Sequence, residues 1–142
     1  MTLKTLIDRI GKLAIDEKII NFSAAGNDIY SLNGMNIDGY PVLFTCPAGT
    51  HTVRDNTTTY SLTLFYIDRL LEDGSNDIDI YSVSIEQLKN LILKIDNIIG
   101  VLGVEEVYTI TNFETDPGKM DDFCGGAYAT IKVKTSNILC PE

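Results

Sequence analysis

The run Thr57-Thr58-Thr59-Tyr60-Ser61-Leu62-Thr63-Leu64-Phe65-Tyr66-Ile67 limits the fold more than any other part of this chain. It is dense in β-branched and aromatic residues and alternates for most of its length, as a half-buried strand does. After a polar break come Ile85, Leu88, Leu91, Ile92, Ile95, Ile98 and Ile99, spaced at three and four residues like one face of a helix. A strand and a helix of that length, side by side, make a small α+β layer whose ends project. Such a shape suits assembly into a ring better than enclosure of a substrate.

The size permits a core. A chain of 142 residues is expected to form one domain over 1–142, with 136–142 an irregular tail; a domain of that size buries roughly 68–70% of its unfolded surface. The formal charge is −9 and the pI is near 4.4. That balance argues against a protein that grips phosphate backbones, which needs a basic surface. It leaves room for DNA passing nearby, since an acidic surface repels rather than holds it. The N-terminus reads as an amphipathic helix and not as a secretory signal. The longest near-apolar stretch, Ile98 to Val104, holds two glycines and is far shorter than the ~20 residues a bilayer requires. Cys46, Cys124 and Cys140 are widely spaced and odd in number, which reads as free thiols.

Along the chain, Thr2 is placed to cap a helix whose buried stripe is Leu3, Leu6, Ile7, Ile10, Leu13 and Ala14. Gly11 weakens that helix by ~1 kcal/mol against alanine, so packing must hold it. Ile19 to Ser23 reads as a short strand, and a single helical turn is expected around Tyr30 and Leu32. Tyr40-Pro41 opens a strand over Val42 to Cys46, which should pair with Thr57–Ile67 as an antiparallel hairpin with an extended tip. Ser75, Asn76 and Asp77 are candidate caps for the second helix, which is expected to stop at Gly100 and to span ~30–36 Å. Val104 to Phe113 reads as one strand, followed by an acidic loop to Gly126. Ala127, Ala129, Ile131 and Val133 then alternate with Tyr128, Thr130, Lys132 and Lys134, a strand with one wet face. The expected fold is α+β: an antiparallel sheet of four to five strands with an extended hairpin, packed against two helices in the order α-β-β-β-α-β-β.

Catalytic readings find little support. His51, the sole histidine, sits in a polar loop and reads as solvent-exposed. Cys46 on an apolar strand reads as a small buried hydrophobe, and Cys124 beside Gly125-Gly126 is the one thiol in a setting open to reactivity. Asp73, Ser75, Asp77 and Asp79 alternate like the start of a calcium loop. Ile78 and Ser84, however, stand where such a loop needs glycine and glutamate, and a helix-capping cluster explains the same residues. The aspartates at 116, 121 and 122 have no histidine or glutamate at metal-site spacing. Neither phosphate-binding glycine motif occurs. No cofactor or metal is expected, and no catalytic residue. Phe65 and Ile67 lie on the strand face opposite Leu62, Leu64 and Tyr66, and would leave an apolar stripe if that face were open.

The order of elements resembles that of the tail terminator and tail-completion proteins of tailed bacteriophages, over about residues 2–135. Asp28-Ile29-Tyr30-Ser31-Leu32-Asn33, Tyr40-Pro41-Val42, Thr63-Leu64-Phe65-Tyr66-Ile67-Asp68-Arg69-Leu70 and Phe123-Cys124-Gly125-Gly126-Ala127-Tyr128-Ala129-Thr130 are similar to small structural-module proteins of phages of Bacteroides-type hosts, the crAss-like phages among them. The resemblance implies a non-enzymatic virion protein of the head–tail region, made in the bacterial host cytoplasm. It implies a homo-oligomeric ring, six-fold or twelve-fold, meeting portal, adaptor or tail ring proteins, with DNA as passing cargo and no membrane contact.

In a ring each subunit meets the next head to tail. The Pro47–Thr59 hairpin tip, Asp68–Asp73 and the Glu114–Phe123 loop are the expected bridging pieces. Arg54, Thr58, Asp68, Arg69, Asp116, Lys119 and Phe123 are the candidate interface residues. Asp68 and Arg69 suit ion pairs across the boundary, or pairs within the chain. Two other readings compete: a small cytoplasmic binding or regulatory domain that dimerises through a sheet edge, and a hydrolase built on the aspartate-rich loops.

Overall fold

Helix α1 (Leu3–Asp16) begins where the Thr2 hydroxyl accepts the Thr5 backbone N–H at 3.1 Å, the N-cap bond anticipated from sequence. A computed structural model describes residues 1–35, 37, 39–116, 118–120 and 122–138. The remaining elements are strands β1 (Phe22–Ala25), β2 (Val42–Pro47), β3 (Thr52–Val53) and β4 (Thr57–Arg69), helix α2 (Asp77–Ile95), and strands β5 (Val101–Val104), β6 (Ile110–Glu114) and β7 (Cys124–Ser136), with a 3-10 segment (Ile29–Gly34) between β1 and β2. The fold is α+β, built on a mixed seven-stranded sheet.

Two thirteen-residue strands form its spine: β4 and β7 pair antiparallel from Thr57↔Ser136 to Arg69↔Cys124. Each spine strand carries two shorter strands along its outer edge. On β4 these are β2 and β3; on β7 they are β5 and β6. Both outer partners are single strands interrupted by a bulge. From Val104 to Ile110 the chain advances six positions while β7, from Val133 to Ala129, advances four. The strand read as continuous from Val104 to Phe113 is therefore split. Its surplus residues are thrown outward, and Val107 is 83% exposed. A matching bulge separates β2 from β3. The hairpin tip accordingly folds back on β4 and turns only at 54–56, where Arg54 N–H bonds the Thr57 carbonyl.

The sheet departs from the expected antiparallel sheet of four to five strands in one further respect. β1 runs parallel to β2, with Phe22 opposite Val42 and Ala25 opposite Thr45. Parallel neighbours need a crossover of about a dozen residues or more, and 26–41 supplies it, carrying the 3-10 segment across the sheet.

Both helices lie on one face. There Leu6, Ile10 and Ala14 of α1, with Leu88, Leu91, Ile92 and Ile95 of α2, meet Leu43, Leu62, Leu64, Tyr66, Ala127, Ala129, Ile131 and Val133. Gly11 sits where α1 crosses β1. A side chain there would strike the Ser23 hydroxyl, so the residue that weakens the helix is what lets it approach. Gly126 plays the same part inside the sheet, since a Cβ would collide with the Tyr66 carbonyl.

Helix α2 ends at Ile95, earlier than the expected stop at Gly100. The Asp96 carboxylate accepts the Val104 N–H at 3.1 Å, and Asn97 and Ile98 form tighter turns onto Lys94 and Ile95. Gly100, at φ +93°, serves the turn into β5 instead. No helix among the described residues is long and apolar enough to cross a membrane.

Candidate interaction surface

The sheet face away from the helices divides into a covered half and a bare half. In the covered half a second apolar cluster forms from Leu32, Val42, Phe44, Cys46, Ile67, Met120 and Cys124. The stripe that Phe65 and Ile67 would have left open is thereby filled at Ile67, while Phe65 stays half-buried at its edge. Ile67 is fully buried, and Phe65 packs edge-to-face on Phe113 at 5.5 Å and tilted on Tyr128 at 5.4 Å.

The cover is a clasp between the 3-10 segment and the loop 115–123. Asn33 donates to the Lys119 carbonyl at 2.6 Å, and the Asp116 N–H donates to the Tyr30 hydroxyl at 3.2 Å. The Lys119 ammonium lies 5.7 Å from the Tyr30 ring centre. Beside the clasp, the Tyr40 hydroxyl donates to Asp122 at 2.9 Å. The same carboxylate lies 3.4 Å from Arg69, whose guanidinium covers the Tyr40 ring at 5.0 Å. These groups border a cavity of about 500 Å³ with an apolar wall of Leu32, Met35, Ile37 and Met120. Burial, reinforced by hydrogen bonding to Cys124 and Asp122, pushes the Tyr40 phenol far above its ordinary value, so it remains a neutral donor.

The candidate residues fall into two groups at opposite ends of β4, some 35 Å apart at ~3.3 Å per residue. At the hairpin end, Arg54 is exposed, but Thr58 is only 7% exposed and its hydroxyl bonds Asn137 at 2.7 Å. At the clasp end, Asp68 is half-buried and accepts the Arg69 N–H. Arg69 and Asp122 form a mostly exposed pair within the chain, worth ~1 kcal/mol or less. Asp116 and Lys119 are exposed and Phe123 is half-buried, all on the clasp loop.

Other readings of single residues change. His51 is half-buried rather than free in solvent. Its Nδ1 accepts the Ser61 N–H at 3.2 Å, replacing the strand partner lost in the bulge, and its ring meets Tyr60 edge-on. Cys124 is fully buried, and desolvation raises its thiol above the ordinary range, against the reactive setting its glycine neighbours implied. Cys46 is likewise raised by burial to about 11. Cys140 and Asp121 lie outside the described residues.

Of the three candidate caps for α2, Asn76 takes the cap position but makes no capping bond with its side chain. Instead it bridges the Leu71 N–H and the Arg69 carbonyl, locking the turn out of β4. Asp73 accepts the Ser75 N–H, which holds its carboxyl below the usual range. Among the described residues, no three of the His, Cys, Asp and Glu side chains gather as a metal site.

The bare half is what sequence reasoning missed. Thr59, Ser61 and Thr63 of β4 and Thr130, Lys132 and Lys134 of β7 share it by register. Thr63 and Thr130 hydroxyls bond at 2.9 Å. The signal was present in the wet alternation of β7, but the span of the 26–41 crossover, which decides how much of the face is covered, was not. No protein-family model and no curated protein matches the chain.

Proposed function

We propose that this chain is a structural, non-enzymatic component of a tailed-bacteriophage virion. Copies of it form a closed ring in the head–tail connector or tail, joining portal or adaptor to tail, with DNA passing through the lumen. The observation that carries this reading is the two-sidedness of the domain. Helices occupy one sheet face, while half of the other is bare and polar, so the front and back of the molecule differ. Such a body associates most simply front to back, the heterologous contact that generates rings. The tail-terminator-like order of elements points the same way, and the −9 charge suits a channel that must not retain DNA.

Pairing through a sheet edge is the less favoured arrangement. The β5–β6 edge is broken by an outward bulge and β1 has only four residues; both features blunt edge-to-edge association. Negative-stain electron microscopy of the purified protein distinguishes the two. Annular particles are expected, and a field of compact two-fold dimers would reject the ring.

A further inference from the structure

We infer that the bare half of the sheet receives helix α2 of a second copy of this chain, a contact that rests on the ring assembly proposed above. The bare surface has charge and shape. Lys132 and Lys134 stand exposed on it, without an ion-pair partner among the described residues. At one end lie the paired rings of Phe65 and Tyr128. At the other, a shallow hollow of about 320 Å³ opens among Thr59, Gly103, Val104, Glu105, Lys132 and Lys134.

Helix α2 presents the complement. Its inner stripe, Ser84, Leu88, Leu91, Ile92 and Ile95, is buried against the sheet. Its outer stripe is Asp79, Val83, Glu86, Asn90 and Leu93, all exposed, with Leu93 at 69% and Val83 at 48%. Neither Val83 nor Leu93 belongs to the apolar clusters of the domain.

Spacing fixes the direction. With Leu93 on the Phe65–Tyr128 rings, Glu86 lies ~10 Å and Asp79 ~21 Å along the helix axis. Along β7, Lys132 lies ~13 Å and Lys134 ~20 Å from Tyr128. Each acid thus meets a lysine, and Val83 arrives over the hollow between Lys132 and Lys134. Laid the other way, with Val83 on the rings, Lys94 falls ~17 Å along, between Lys132 and Lys134. Lys94 is already held by Glu17 at 2.8 Å in its own chain. Asn90 and Leu93 then face the lysines with no acid opposite either, so this direction is disfavoured. Glu86 pairs with Lys89 at 2.7 Å in its own helix, but the pair is solvent-exposed and such pairs contribute little, so the exchange is inexpensive. The helix and the bare face lie on opposite sides of one domain, so the contact repeats from copy to copy.

A charge exchange tests it on the full chain, read by sedimentation velocity across a concentration series. Lys132→Glu with Lys134→Glu makes one variant, and Asp79→Lys with Glu86→Lys makes the other. All four positions are exposed, so the sheet variant should keep the wild-type urea midpoint. The helix variant puts a cation in the first turn of α2 and another beside Lys89, so it should fold with a slightly lower midpoint. Each variant alone should associate about tenfold more weakly or worse. An equimolar mixture should recover assembly, because the acidic sheet of one then meets the basic helix of the other. Variants that assemble like wild type, or a mixture that stays dissociated while wild type forms rings, overturn this contact and leave the ring standing. Wild type that never exceeds a pair removes the ring itself and this contact with it, since a front-to-back contact does not stop at two copies.

Discussion

Tyr66 carries a phenol into the apolar layer beneath the helices, where it is 3% exposed. Burial, with a smaller contribution from Asp68, raises its pKa from 10.0 to about 12. The folded protein therefore keeps a proton that the unfolded chain gives up near pH 10. Stability from this group is intact below about pH 10 and is lost as the pH climbs towards 12. Urea midpoints should fall over that window, and Tyr66→Phe should make the fall shallower by ~2 kcal/mol; an unchanged alkaline slope would count against a buried phenol. Position and chemistry were legible separately at this scale. Tyr66 belongs to an alternating strand, so its inward direction follows from its neighbours Leu62 and Leu64. The role of His51 did not follow, because its partner is a backbone N–H freed by a bulge that no local pattern announces.

Helix α2 shows how two leucines two positions apart diverge. Leu91 is 1% exposed in the main core and Leu93 is 69% exposed. Leu91→Ala should destabilise the chain by ~2–5 kcal/mol, whereas Leu93→Ala, measured on dilute protein, should stay within ~0.5 kcal/mol. Equal losses in chemical denaturation would mean that the helix is rotated from the position described. The helical stripe, the N-cap at Thr2, the 3-10 turn around Leu32 and the two spine strands were all readable, because each rests on periodicity or on one capping bond. Element ends and partners were less so. The early stop of α2 depends on Asp96 reaching Val104, eight residues onward. The parallel placement of β1 depends on the path of a crossover, and four residues of strand carry no mark of direction.

For the whole molecule, the decisive property is its asymmetry of cover. One sheet face bears two helices. The other is closed at the clasp end by 3-10 segment and loop, and is open at the hairpin end. Composition conveyed the acidic balance, and alternation in β7 conveyed that one of its faces is wet. How much of that face stays open is set by the Asn33–Lys119 and Tyr30–Asp116 bonds between segments 86 residues apart, which short-range patterns do not encode. The clasp also places Arg69 against Asp122, so one of the two residues considered for a subunit boundary, Arg69, is satisfied, weakly, within one chain.

The proposed ring requires that copies join front to back and close. Native mass spectrometry of the purified chain at rising concentration reads that closure. A discrete six- or twelve-chain species should replace the monomer without long-lived dimers. A population confined to single chains and pairs at every concentration, or an unbroken ladder with no preferred size, would rule the ring out.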